Sequence, residues 1–188
     1  MCQFFLQSAY YPIALLPREL LITCSTHTVF YIREVNGKGE CILKYTALCK
    51  FELSATSREE AIAELLGLFP VGERSQNLLA GALDIREKVG ATVVHNTIVL
   101  PHCRSILVDK LTIAVGRSEA GIGWPDKKIH TVILFVSPVR LNAPQDHTRF
   151  LSHIAGRIKK YGDKIVTAEN QKELLDLLGF QHEELESR

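Results

Sequence analysis

Apolar positions along the chain follow two rhythms, one of alternate residues and one of every third or fourth, and the exchange between them divides the sequence into elements. Leu20 to Ile22 and Thr28 to Ile32 read as strands, and Asn36-Gly37 before Cys41 to Leu43 is a hairpin signal. Leu48 to Leu53 is a further short strand. Ser57-Arg58-Glu59-Glu60 is a capping box, predicting a helix that buries Ala61, Ile62, Leu65, Leu66 and Phe69 and stops at Pro70. From about Ser75 to Val89, Leu79, Ala82, Leu83 and Arg86 recur at helical spacing on one face, so the stripe ends in an inward-pointing arginine.

Strands are predicted at Val93 to Leu100, Leu111 to Val115 and Ile129 to Val136, with Gly121-Ile122-Gly123-Trp124-Pro125 as a turn between the last two. The next helix opens near Asp146 as N-cap. It carries His147, Phe150, Leu151, Ile154 and Ile158 on one face, with His147 in its first turn. Thr167 is expected to cap a final helix containing Leu174, Leu175, Leu177 and Leu178, closed by Gly179. Helices interspersed with short apolar strands predict an α/β sandwich around one sheet.

Composition narrows the choices. The 188 residues are 46% hydrophobic, enough for one domain with a sizeable core, and 22 basic against 21 acidic residues leave no global field for nucleic acid or anionic membrane. Five cysteines without C-x-x-C spacing fit neither a disulfide framework nor a zinc ribbon and point to a reducing, cytoplasmic setting. The apolar stretch Phe4 to Leu16 is interrupted by Gln7 and Ser8 and is too short to span a bilayer, so no membrane insertion is expected. The expected organisation is an N-terminal extension at 1–44 containing the hairpin, a domain at 45–180 and a charged tail at 181–188.

Periodicity alone singles out Arg86, His102, which follows an apolar run and Pro101, and His147. An imidazole is largely uncharged near neutral pH and can act as a nucleophile. Were the three to meet, the site would hold that nucleophile, a guanidinium whose planar fork suits phosphoryl oxygens, and a second imidazole near a helix N-terminus. Cys103, taken alone, reads as a small buried filler rather than a reactive thiol or a metal ligand.

The run Arg86-Glu87-Lys88-Val89-Gly90-Ala91-Thr92, followed by Asn96-x-Ile98-x-x-Pro101-His102, resembles the phosphorylation-site region of fructose/mannitol-type enzyme IIA domains of the bacterial phosphotransferase system, including the nitrogen-regulatory branch. The resemblance extends from about Leu48 to Leu178, through the Ser57-Arg58-Glu59-Glu60-Ala61 helix start, Ile122 and Trp124, and Pro144-x-x-His147.

The resemblance implies a mixed sheet flanked by helices and a phosphohistidine intermediate. By its motifs His102 corresponds to the phosphorylated histidine, Arg86 to the active-site arginine and His147 to the second active-site histidine. It implies a phosphocarrier that accepts the group from an HPr-like phosphohistidine protein, with no metal or organic cofactor. The group then passes to a IIB partner or serves as a regulatory signal. The alternative is a non-catalytic regulatory module of the IIA fold that docks on a transporter or kinase. Family members usually carry glycine where this chain has Val94 and Thr97, and glycine or alanine where it has Cys103. Such replacements are expected to narrow the loop.

Overall fold

A computed structural model describes residues 28–35, 41–125, 127–139 and 143–180. Leu20 to Ile22, Asn36-Gly37, the stretch Phe4 to Leu16 and the tail at 181–188 lie outside the described residues. The elements follow in the order β1 (Thr28–Val35), β2 (Cys41–Glu52), α1 (Arg58–Leu66), α2 (Glu73–Val89), β3 (Val93–His95), β4 (Ile98–Val99), β5 (His102–Ser105), β6 (Leu111–Trp124), β7 (Lys127–Pro138), α3 (Ala143–Thr167) and α4 (Gln171–Leu178).

The strands form one seven-stranded mixed sheet in the order β1-β2-β6-β7-β4-β3, with β5 also paired to β7. The β1–β2, β3–β4 and β6–β7 pairs are antiparallel, whereas β2–β6, β4–β7 and β5–β7 are parallel. Along β7 the side chains alternate between two cores. Ile133 and Phe135 join the core under α3 and α4, and Val132, Leu134 and Val136 join the one under α1 and α2. Helices therefore cover both faces, and β7 reads as a continuous apolar run because both its sides are buried.

Local signals placed the first helix closely. Ser57 accepts from the Glu60 N–H while the Glu60 carboxylate accepts from the Ser57 N–H, and Ala61, Ile62, Leu65, Leu66 and Phe69 are buried. The helix ends at Leu66, before the expected stop at Pro70, with Gly67 as its C-cap.

Several expectations are corrected where tertiary pairing decides. Cys41 to Leu43 and the predicted strand from Leu48 belong to one long strand, β2, which ends at Glu52 and is paired with β1 on one side and β6 on the other. Val93 to Leu100 folds back on itself as the β3–β4 hairpin around Asn96-Thr97. The glycine-rich stretch from Gly121 is strand rather than turn. The β6–β7 register shifts between Arg117 and Ile122, and Gly121 takes a left-handed φ of 79°, so the irregularity is absorbed as a bulge and pairing resumes through Trp124. Thr167 ends α3, donating to the Asp163 carbonyl, and Asn170 caps α4 by accepting from the Glu173 N–H. Gly179 closes α4 at φ 82°, as expected of an αL cap.

Helix α3 opens at Ala143, ahead of Asp146, so His147 lies in its second turn rather than its first. Pro144 suits such an early start, because a missing N–H goes unnoticed in the first helical turn.

Candidate functional site

Strands β4 and β5 lie end to end along one side of β7, with Ile98 and Val99 opposite Thr131 and Val132, and His102 to Ser105 opposite Phe135 to Pro138. Pro101 sits at the break. Having no N–H it cannot continue the ladder as a donor, but its carbonyl accepts from the Phe135 N–H at 3.1 Å. His102 thereby becomes the first residue of an edge strand rather than a loop residue after one.

The His102 ring lies flat on Phe135, with centroids 5.1 Å apart and planes within 10°. Its Nδ1 is 2.8 Å from the Leu100 carbonyl oxygen. A carbonyl only accepts, so the neutral imidazole keeps its proton on Nδ1 and presents a lone pair at Nε2. Burial lowers the His102 pKa from its ordinary value. The Leu100 bond opposes that, the Arg86 charge lowers it further and Glu87 raises it. The net direction favours the neutral, nucleophilic form at pH 7.

His147 approaches from α3. Its ring centroid is 5.5 Å from that of His102 and 5.3 Å from that of Phe135, so one phenyl ring is shared by both imidazoles. Phe150, one helical turn on, meets the same phenyl edge-on at 4.8 Å and anchors α3 there. Burial first, and then the charges of His102, Arg104 and Arg86, push the His147 pKa down to about 4. Nδ1 of His147 lies 2.7 Å from Oγ of Ser137.

Arg86 reaches the same place from the other layer. Helix α2 packs through buried Leu79 and Leu83 on the opposite core, and its last turn brings Arg86 close enough that its charge acts on both histidines. Arg86 Nη1 donates to the Gly90 carbonyl at 3.0 Å, which turns the guanidinium back over the helix end. The three residues expected from the sequence are thus gathered at the sheet edge where the two helical layers meet.

Three further residues belong to this arrangement and were not singled out by pattern. Glu87 accepts from the Thr92 N–H at 3.2 Å and from the Trp124 indole N–H at 3.2 Å through Oε1, and from the Thr92 hydroxyl at 2.6 Å through Oε2. The Thr92 carbonyl in turn accepts from the Leu100 N–H at 2.9 Å, so Glu87 supports the segment whose carbonyl orients His102. Arg104 stands two residues after His102 in β5, opposite Ser137, and strand alternation gives it the same side as His102. That was readable only once His102 is known to begin a strand. Ser137 is two residues beyond Phe135 in β7 and 1% exposed. It marked merely the end of an apolar run.

Among the described residues, no position other than glycine has a positive φ. Val94 and Thr97 therefore occupy ordinary backbone conformations, and the β3–β4 hairpin accepts β-branched residues without strain. Cys103 is buried, its side chain among residues of the α1–α2 core, and burial pushes its thiol up to about 11. Among the described residues, no group of three or more His, Cys, Asp or Glu side chains is placed to hold a metal ion, and no helix is long and apolar enough to cross a membrane. His130 is held through Nδ1 by the Ser118 carbonyl at 3.0 Å, and His95 packs against Gly162, both away from this cluster.

A family model described as phosphoenolpyruvate-dependent sugar phosphotransferase system, EIIA 2, matches residues 46–180. The nitrogen regulatory protein IIA-Ntr of Neisseria meningitidis superposes with a TM-score of 0.58 at 23% identity, covering 68% of this chain and 90% of that one. The IIA-mannitol of Escherichia coli, solved in complex with phosphorylated IIB-mannitol, gives a TM-score of 0.51 at 16% identity over 71% of this chain and 94% of that one. Multiphosphoryl transfer protein 1 of Escherichia coli (strain K12) is 23% identical over 127 residues, 65% of this chain. The chain spans 15% of the length of that relative.

Proposed function

The chain belongs to the EIIA 2 family of the phosphoenolpyruvate-dependent sugar phosphotransferase system, and from that premise we propose that it is a phosphocarrier whose acceptor atom is Nε2 of His102. The observation that carries this reading is the bond from His102 Nδ1 to the Leu100 carbonyl, which leaves Nε2 unprotonated beside Arg86 and His147.

In the proposed step the Nε2 lone pair attacks phosphorus in line as the phosphorus–nitrogen bond of a donor phosphohistidine breaks, and the donor leaves as imidazole. Nδ1 keeps its proton, and the Leu100 carbonyl stabilises the positive charge that develops on the His102 ring. Arg86 and His147 bind the phosphoryl oxygens, where catalysis is chiefly positioning and charge neutralisation. The donor is an HPr-like phosphohistidine protein, and the group then passes to a IIB component or is held as a signal. A protein partner suits the surroundings. Leu78, Ile85 and Val89 are 58%, 66% and 82% exposed along one face of α2, and Ile106, just after β5, is 84% exposed.

In this reading residues 45–180 form the phosphocarrier domain, and residues 1–44 extend it by contributing β1 and the start of β2 to its sheet. That extra strand, outside the matched residues 46–180, favours the second reading, a regulatory module that acts by docking on a transporter or kinase.

Incubation with phosphoenolpyruvate, enzyme I and HPr tests the first reading. The expected result is acid-labile, alkali-stable phosphate on the chain that disappears in His102→Ala. No label under conditions that phosphorylate IIA-mannitol would overturn it. If a cellular phenotype of the protein survives His102→Ala, the docking module is the working form.

A further inference from the structure

We propose that Ser137 is a positioning residue, whose hydroxyl donates to Nδ1 of His147 and thereby holds the proton of the neutral imidazole on Nε2. The inference deepens the phosphocarrier reading and rests on it for the use to which that proton is put.

A histidine that stays neutral at pH 7 has one N–H and one lone pair, so a role as hydrogen-bond donor depends on which nitrogen carries the proton. For His102 a backbone carbonyl decides the matter. For His147 the partner is a hydroxyl, which can either donate or accept, and its surroundings must decide. The Ser137 side chain is 1% exposed, and among the described residues its hydroxyl has His147 Nδ1, at 2.7 Å, as its hydrogen-bond partner. Were Nδ1–H to donate to Ser137, the buried serine O–H would have no acceptor among the described residues, a state that is costly for a hydroxyl. With the serine donating, both groups are satisfied and the imidazole proton goes to Nε2.

The two imidazoles then become complementary. His102 offers a lone pair at Nε2, and His147 offers an N–H at Nε2, the polarity needed for one ring to attack phosphorus and the other to donate to a phosphoryl oxygen. Ser137 reaches this position because β7 alternates. Phe135, which both rings pack on, and Ser137 lie two residues apart on the same side of the strand, opposite His102 and Arg104 of β5.

The test uses the full chain, ¹⁵N-labelled and without donor, with tautomers read from long-range ¹H–¹⁵N correlations of the imidazoles. The His147 signals are assigned by their loss in His147→Gln. Wild type is expected to show His147 protonated on Nε2, Ser137→Ala to show a mixture of tautomers, and Ser137→Thr, which keeps the hydroxyl, to restore the wild-type pattern. Phosphoryl uptake from phosphorylated HPr should fall about tenfold in Ser137→Ala, the lower end of what loss of a tautomer-fixing partner does at metal-bound histidines, and recover in Ser137→Thr. Protonation of wild-type His147 on Nδ1, or an unchanged tautomer in Ser137→Ala, would overturn the proposal. Because the spectra need no phosphoryl donor, absence of phosphate uptake by wild type would count against the phosphocarrier reading and leave the Ser137 measurement standing.

Discussion

The Leu100 carbonyl oxygen lies 2.8 Å from Nδ1 of His102, two residues along the same strand edge. Pro101 between them makes this contact stereochemically natural. The backbone break at the proline frees the Leu100 carbonyl from the ladder, while the Leu100 N–H remains bound to Thr92. The acceptor that fixes the imidazole is thus part of the main chain and cannot be removed by changing a side chain.

The pH dependence of stability follows from the two histidines. In the unfolded chain each titrates near 6.5, whereas in the fold His147 is pushed down to about 4 and His102 is lowered, both chiefly by burial. Between about pH 6.5 and the folded values, the unfolded state binds more protons, so stability is greatest above 6.5 and declines as pH falls toward 4. Thermal unfolding at pH 7.5, 6 and 5 should show a falling Tm, with a shallower fall in His147→Gln. A Tm that rises on acidification through this window would contradict the burial of these rings.

Removing the Arg86 guanidinium should damage phosphoryl uptake far more than folding. Arg86→Ala is expected to slow uptake on the order of a hundredfold, by analogy with deleting one charge-stabilising donor from an active site. Unfolding free energy should change by less than about 1 kcal/mol, since Arg86 is half-exposed and loses one bond to Gly90. Arg86→Lys keeps the charge without the fork and should fall between the two. NMR titration should place the His102 pKa higher in Arg86→Ala than in wild type, because a charge that lowered it is gone.

Glu87 has the opposite profile. Glu87→Ala leaves the Thr92 N–H and hydroxyl and the Trp124 indole without their acceptor, and Thr92 is 5% exposed. A loss of roughly 1–3 kcal/mol is expected. Urea unfolding followed by the fluorescence of Trp124, the one tryptophan in the sequence, measures it directly.

Gly116 tests the packing of β6 against the segment after β2. A Cβ there would come within 2.5 Å of Leu53 Cδ1, and Leu53 is 7% exposed and cannot swing clear into solvent. Gly116→Ala should lower the urea midpoint by an amount equivalent to roughly 1–3 kcal/mol, the range for overpacking a core. An unchanged midpoint would mean that the β6 surface yields more easily than this packing allows.

What could be read from the residues alone was local or carried by a motif. The capping box at Ser57, the αL cap at Gly179 and the apolar stripes of α1, α2 and α3 depend on interactions within a few residues, so they are written in the neighbouring sequence. Arg86, His102 and His147 stood out by periodicity, and the motifs around them carried the resemblance. The strands were less legible. That Val93 to Leu100 is a hairpin, that His102 opens β5 and that β6 runs through its glycines depend on β7, a neighbour far along the chain for the first two. Spatial gathering of the site was likewise outside the reach of periodicity. Arg86 and His147 come from helices on opposite faces, and both act on His102 because the sheet places β5 at its edge beside β7. Ser137, Arg104 and Glu87 acquire their roles only there, since the partner that gives each polar group its function is brought to it by folding rather than by adjacency in the chain.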